Sequence, residues 1–286
     1  MQTEPVRVRK RALFAKFFAD RGTHLAAMVA YFALLSFVPL VFLSLSLLGL
    51  AHRADASDFL VRELKRAFPG SSLQSILTLV HRVQDNAATL GIIGAVGLLW
   101  SSLSLFSALE SAFNIVYGRP NRPFLRGKTV AAALMASVLV TLFASLVVGA
   151  LGVEVLKRYA PGFVGDQSVA YGLSVAVSLV GVFLFLFAVY LLLPNVEVSV
   201  HDVLPGAVMG AIVLEGSFQV LPVFVRFADV NVTLRVLGGP AILLLWLYVM
   251  ANVIVLGAEL NWWSAERRSA AAAAPVPARD TSATRT

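Results

Sequence analysis

The sequence contains no cysteine, and charged residues occupy only 14% of its 286 positions. Without cysteine, the chain has no disulfide, no thiolate metal site and no cysteine nucleophile. A soluble domain carries about 25% charged residues, so 16 acids and 23 Lys and Arg are too few to cover a globule of this size. The composition excludes an ordinary soluble enzyme and a disordered chain. It also argues against a nucleic-acid partner, despite the formal net charge of +7.

Long apolar stretches take the place of charge. Hydrophobic residues make up 58% of the chain, and a helix needs about 20 mostly apolar residues to cross a bilayer. Backbone groups inside lipid must bond within their own segment, which favours helices. We therefore predict an all-α polytopic membrane protein, partnered by the lipid bilayer, with six transmembrane helices at residues 25–50, 87–109, 129–153, 169–193, 203–225 and 236–258.

The positive charges predict the orientation of these spans. Connectors on the side of the N-terminus hold 14 of the 23 Lys and Arg, and connectors on the other side hold 9. Because loops rich in Lys and Arg stay in the cytoplasm, we expect both termini to be cytoplasmic (N-in/C-in).

The chain divides into an arm, a membrane domain and a tail. Residues 1–24 form a basic cytoplasmic arm, in which the spacing of Leu13, Phe14, Phe17 and Phe18 predicts an amphipathic interfacial helix over 11–21 that is drawn to anionic phospholipids. The alternative is a solvated arm that only sets topology. Residues 25–265 form the six-span domain, and 266–286 are expected to be a disordered cytoplasmic tail.

Two connectors could carry function. The outer loop 51–86 predicts amphipathic helices over 58–68 and 71–84, which serve either as a lid or as a docking surface for an envelope protein partner. The inner segment 118–128 is basic and contains no acid, so it is a candidate site for lipid headgroups, although inner loops are often basic for topology alone. Its headgroup candidates are Arg119, Arg122, Arg126 and Lys128.

One span contains a carboxylate. Glu215 lies near the middle of the span 203–225, and Gln219 lies one turn later on the same face. A charge at that depth costs about 3 kcal/mol or more. The pair is therefore either a proton relay or a polar lining for a headgroup, or else a protonated Glu215 forms one interhelical hydrogen bond. Gly206 and Gly210 in the same span mark close helix packing, within one bundle or in a homo-oligomer.

Catalytic motifs are missing from the sequence. It contains no phosphate-binding GxxxxGK[ST] loop, no HExxH and no usable set of Cys and His. The inner-face acids are scattered and predict no two-metal nuclease centre. We expect a protein that is not an enzyme, with no catalytic residues, no metal and no cofactor.

Three stretches resemble the YihY/BrkB family of bacterial inner-membrane proteins, formerly labelled ribonuclease BN. They are residues 27–45 (AMVAYFALLSFVPLVFLSL), 97–126 (GLLWSSLSLFSALESAFNIVYGRPNRPFLR) and 243–261 (LLLWLYVMANVIVLGAELN). The resemblance implies the bacterial cytoplasmic membrane as location and a role in transport or envelope maintenance. It carries over Ser36, Pro39, Trp100, Ser101, Glu110, Asn114, Arg122, Pro123, Trp246, Tyr248, Gly257, Glu259 and Asn261.

Several of these positions fall at the predicted inner ends of spans. There they form either a structural clasp or a site for a headgroup or partner. The substrate-binding candidates are therefore Glu110, Asn114, Arg122, Glu259, Asn261, Glu215 and Gln219.

Three functions follow as hypotheses. The first is transport, or help in transport, of a lipid or other amphiphile. The second is a non-transporting anchor or scaffold for an envelope protein complex. The third is a membrane nuclease, against which the missing catalytic set argues.

Overall fold

The computed structural model of the chain describes residues 11–50, 87–123, 125–134, 136–137, 167–230 and 239–272. All regular structure in these ranges is α-helical, as predicted. The helices are α1 (Arg11–Ala19), α2 (Gly22–Leu50), α3 (Ala87–Val116), α4 (Gln167–Leu192), α5 (Val200–Val230) and α6 (Gly239–Ala272). A further helical stretch over 125–134 follows the loop after α3.

Four helices of the described part are long and apolar enough to cross a membrane. Their qualifying segments are Ile92–Val116, Val175–Leu192, Val200–Leu221 and Pro240–Ala270, and a shorter apolar segment covers Gly22–Phe37 of α2. The helix α2 itself contains the whole predicted span 25–50. The predicted span 129–153 is described only as far as residue 137. A multi-pass helical architecture is therefore confirmed.

The long helices pack in the order α3, α2, α6, α5, α4, each against the next. The row closes at one end, where the ring centroids of Phe113 in α3 and Tyr190 in α4 lie 5.4 Å apart. This end contains the start of α2 and α5 and the last turns of α3, α4 and α6, and we call it the polar end. Its core includes fully buried alanines such as Ala26, Ala112 and Ala207, whose small side chains let membrane helices approach closely.

The helices α5 and α6 approach each other closely. A Cβ atom on Gly206 would lie 2.7 Å from Cγ of Asn261 and closer still to the carbonyl oxygen of Gly257. A Cβ atom on Gly257 would lie 2.9 Å from Cζ of Tyr190, whose hydroxyl donates to the Ile254 carbonyl at 2.8 Å. Packing within one chain thus explains Gly206, one of the two glycines whose spacing also fitted an oligomer contact.

The N-terminal helix α1 docks on the polar end. Phe17 is buried, and its ring packs directly against Gly22. A Cβ atom on Gly22 would lie 2.7 Å from Cζ of Phe17, so a larger residue at position 22 would clash with the ring. Arg21 makes the turn into α2 with a left-handed φ of 56°. Phe14 and Phe18 of the same helix are exposed. The predicted helix is confirmed, and its place in the membrane interface stays a prediction.

Some expectations differ from the structure or lie outside it. The helix α6 runs through Ala272, so residues 266–272 are helical, and a tail disordered from residue 266 is wrong at its start. The long apolar segment of α6 is followed by an alanine-rich segment, and because alanine has the highest helix propensity the helix continues through it. The outer loop 51–86, with its predicted helices over 58–68 and 71–84, lies outside the described residues, as do residues 138–166 and 273–286.

Substituting Gly206 tests the contact between α5 and α6. We expect Gly206→Ala to lower the free energy of unfolding by about 1–3 kcal/mol, because the methyl group meets backbone that cannot move aside. The matched control is Gly216→Ala in the same helix, where a Cβ atom meets nothing within 4 Å and better helix propensity adds up to about 1 kcal/mol. Thermal unfolding in mild detergent measures both, and equal melting of the two variants would contradict the contact.

Candidate functional site

The polar end brings together five predicted site residues: Glu110, Asn114, Arg122, Glu259 and Asn261. All but Arg122 are buried, although each carries a charge or an amide. Buried polar groups are stable only when they are hydrogen-bonded. Their partners therefore decide whether they are a clasp or an open binding site.

Arg122 joins the loop after α3 to the end of α4. Its Nη1 lies 3.2 Å from Oε1 of Glu110, and the same guanidinium donates to the carbonyls of Leu193, Leu192 (3.3 Å) and Pro194 (2.8 Å). The last carbonyls of a helix have no partner within the helix, and a cation there also interacts favourably with the helix dipole. Arg122 therefore caps α4, and Glu110 neutralises it.

Asn114 strengthens the same junction. Its Oδ1 accepts from the backbone N–H of Asn195 at 2.7 Å, and its Nδ2 donates to Oδ1 of Asn121 at 3.0 Å. The side chain of Asn195 donates in turn to the carbonyl of Pro120 at 3.0 Å. A fully buried asparagine thus connects the loop after α3 with the connector between α4 and α5.

Lys16 forms a second centre at the polar end. Its Nζ lies 3.0 Å from Oε2 of the fully buried Glu259, donates to the Val116 carbonyl at 2.8 Å and also bonds Asp20. It further lies 4.4 Å from the ring centroid of Trp262. Lys16 therefore caps α3 as Arg122 caps α4. The sequence placed Lys16 in the arm but could not show which helix end it reaches.

Asn261 and its surroundings complete the clasp. Oδ1 of Asn261 accepts from the N–H of Gly206 at 2.6 Å, a buried hydrogen bond that joins α6 to α5. Four buried polar atoms of the described part have no hydrogen-bond partner: Tyr117 Oη, Glu259 Oε1, Asn261 Nδ2 and Trp263 Nε1.

Burial raises the pKa of Tyr117 well above its ordinary value, and the negative charges of Asp202 and Glu259 add to the shift. The phenol therefore stays neutral.

The basic segment 118–128 divides into two groups. Arg122 is held within the polar end, and Nζ of Lys128 donates to Oγ of Ser107 at 2.9 Å and to the Leu103 carbonyl at 3.4 Å. Arg119 and Arg126 are exposed. Only these last two present their side chains to the surroundings, as a headgroup site requires.

Glu215 lies apart from the polar end, between α4 and α5. It is buried, and its carboxylate accepts from Oγ of Ser178 at 2.6 Å and from Nε2 of Gln219 at 3.0 Å. Ser178 and Gln219 are themselves exposed. We call these three residues the mid-helix polar group. Ser178 is absent from the sequence-derived set because an isolated serine in a span has no distinguishing pattern.

Chemically, the polar end can hold helices together, and the mid-helix polar group can exchange hydrogen bonds with its surroundings. Among the described residues, no group of three or more His, Cys, Asp or Glu is placed to hold a metal ion.

Breaking the Glu110–Arg122 pair tests the clasp. We expect Arg122→Gln to lower the free energy of unfolding by about 3–5 kcal/mol, because it leaves Glu110 buried without its cation. The double variant E110Q/R122Q should recover part of that loss. Arg126→Gln, an exposed position in the same segment, should stay within about 0.5 kcal/mol of wild type. Thermal unfolding in detergent measures the series, and wild-type melting of R122Q would refute the clasp.

Comparison with known proteins places this architecture in a family. The family model described as Virulence factor BrkB matches residues 13–281. The putative ribonuclease-like protein YfkH of Bacillus subtilis is 27% identical over 88% of this chain and 93% of its own length. A UPF0761 membrane protein of Cronobacter sakazakii is 26% identical over 91% of this chain and 89% of its own length.

Other relatives are longer than this chain. A UPF0761 membrane protein of Ralstonia nicotianae is 28% identical, and the match covers 84% of this chain but 55% of the relative. The chain thus spans between about half and two thirds of the length of several curated relatives. No solved structure matches the chain. With a family match over most of its length and apolar helices long enough to cross a bilayer, the chain belongs to the BrkB virulence-factor family and is a multi-pass protein of the bacterial inner membrane.

Proposed function

We propose that this protein helps a phospholipid or similar amphiphile to move between the two leaflets of the inner membrane. The observation that carries the proposal is the mid-helix polar group. A carboxylate, a hydroxyl and an amide meet in the middle of two membrane helices, and two of the three side chains are exposed.

The energetic obstacle to such movement is the polar headgroup. A charged or unpaired polar group in hydrocarbon costs several kcal/mol. Hydrogen-bonding side chains at the surface of a helix pair replace part of the lost hydration, and Ser178 and Gln219 are placed to do so. At the polar end, Glu110 pairs with Arg122, and the Oδ1 atoms of Asn114 and Asn261 accept from backbone N–H groups. These bonds hold the helices together, which supports the mid-helix polar group, rather than the polar end, as the substrate-binding part.

Lipid transfer in reconstituted vesicles tests the proposal. We expect the wild-type protein to accelerate the movement of fluorescent phospholipids between leaflets, and Glu215→Leu to remove most of that acceleration because it deletes the acceptor for both neighbours. Ser178→Ala should reduce the rate by about fivefold, the equivalent of roughly 1 kcal/mol for one hydrogen bond.

Ser217→Ala is the matched control. Ser217 lies in α5, two residues from Glu215, but its hydroxyl donates to the Val213 carbonyl of its own helix at 2.7 Å. Its loss should leave the rate unchanged. Folded wild-type protein without transfer activity, alone or with a native partner, would refute the transport proposal and favour an envelope scaffold.

We further propose six spans with both termini in the cytoplasm. Support comes from the contact of Lys16 with Glu259, which holds the N-terminal helix beside the last part of α6, and from the charge bias of the connectors. Because the chain has no cysteine, single cysteines at the exposed positions Ala15 and Ser269 can be labelled without background. Both should react only from the cytoplasmic side, and a cysteine at Ser72 should react only from the periplasmic side.

If the cysteines at positions 15 and 269 reacted from opposite sides of the membrane, an even number of spans would be contradicted.

A non-enzymatic role is part of the proposal. The ribonuclease-like name belongs to the Bacillus relative, and metal-dependent RNA cleavage lost on substitution of a single acid in this chain would overturn that role.

A further inference from the structure

An open apolar groove runs along α5 beside the polar end. Its volume is about 660 Å³, and six apolar side chains line it: Leu204, Pro205, Val208, Met209, Ile212 and Val213. Val208, Ile212 and Val213 are among the exposed large side chains. The groove therefore lies on the surface that α5 turns away from the core, where a protein of the inner membrane meets lipid.

The length of the groove corresponds to one leaflet. Leu204 and Val213 are nine residues apart, which is about 14 Å along a helix axis. Half of a hydrocarbon core about 30 Å thick is about 15 Å. One acyl chain therefore fits along the groove from the headgroup region towards the membrane centre. At the far end, Gly216 leaves open space, since a Cβ atom there would meet nothing within 4 Å.

A fixed cation marks the other end of the groove. Asp202, Pro205, Met209 and Val213 follow one another at helical spacing and so share one face of α5. Nη1 of Arg268 lies 3.3 Å from Oδ1 of Asp202, and Nη2 donates to the His201 carbonyl and to Oγ of Ser264 at 2.9 Å. These bonds hold the guanidinium at the mouth of the groove, where its side chain remains 46% exposed.

A second arginine, Arg267, precedes Arg268 in α6. Arg267 is exposed, and its Cζ lies 4.5 Å from the ring centroid of Trp263. Asp202 and Glu266 are the nearby acids, and Asp202 is already paired. An arginine has five N–H donors in a planar fork that matches phosphate, so the two side chains retain donors for a phosphate group.

We propose that this groove holds a resident phospholipid, with one acyl chain along Leu204–Val213 and its phosphate at Arg267 and Arg268. The site combines an open apolar groove of about leaflet length on α5 with an arginine, Arg268, that is held at its headgroup end by Asp202. The proposed site does not depend on the mid-helix polar group or on transport. A resident lipid must stay bound for a long time, whereas a transported lipid must leave its site quickly.

Native mass spectrometry of protein released from nanodiscs of defined phospholipid tests the site. Wild type should retain one phospholipid at collision energies that strip the others. The double variant R267Q/R268Q should reduce the retained fraction by about tenfold, in line with the loss of a charge-assisted hydrogen bond. Val208→Trp, which fills the groove and leaves both arginines intact, should have the same effect.

A matched control separates this site from lipid that coats any membrane helix. Val180→Trp adds the same bulk at an exposed position of α4. It should retain the phospholipid as wild type does. Equal loss in V208W and V180W, or full retention in both V208W and R267Q/R268Q, would overturn the proposal. Melting temperature recorded on the same samples shows that each variant is folded.

Discussion

Carbonyl groups at the ends of membrane helices need partners where water is scarce, and this requirement organises the polar end. Arg122 bonds three carbonyls at and after the end of α4, and Lys16 bonds the last carbonyl of α3. Each cation then needs its own counterion, which Glu110 and Glu259 supply from within the core. Because both charges of each pair are buried or half-buried, the pairs specify one arrangement of helices, and losing either partner leaves a charge that lipid and core cannot solvate.

The same arrangement explains where function is possible. The charged side chains Arg122, Glu110, Lys16 and Glu259 of the polar end are bonded within the fold, while the mid-helix polar group and the α5 groove include exposed side chains. Glycine at 206 and 257 brings α5 against α6, and that contact also brings Arg268 of α6 to Asp202 of α5. The close packing of α5 against α6 thus positions Arg268, the cation that we assign to the proposed lipid site on the outward face of α5.

Much of the architecture could be predicted from the chain's apolar runs. Residues 87–109, 169–193 and 203–225 fall within or almost match α3, α4 and α5, because a bilayer imposes both the length and the helical state of a span. The ends were harder: α6 continues through Ala272 and α3 through Val116, since a helix end is set by capping and packing as well as by hydropathy. Glu110, Asn114, Arg122, Glu259 and Asn261, which meet at the polar end, lie in the stretches that carry the family resemblance, whereas Lys16 was not among the predicted site residues.

The sequence by itself determined three things: that this chain is a membrane protein, which residues form its helices, and which polar residues interrupt or flank the apolar segments. Only the tertiary structure decided what those residues do. Glu110 and Arg122 are 12 positions apart, but Lys16 and Glu259 are 243 apart, and hydropathy contains no information on which helix end meets which cation. Pairing at that distance depends on how the helices pack, so a basic arm and a buried acid became a clasp only when both were placed in the same bundle.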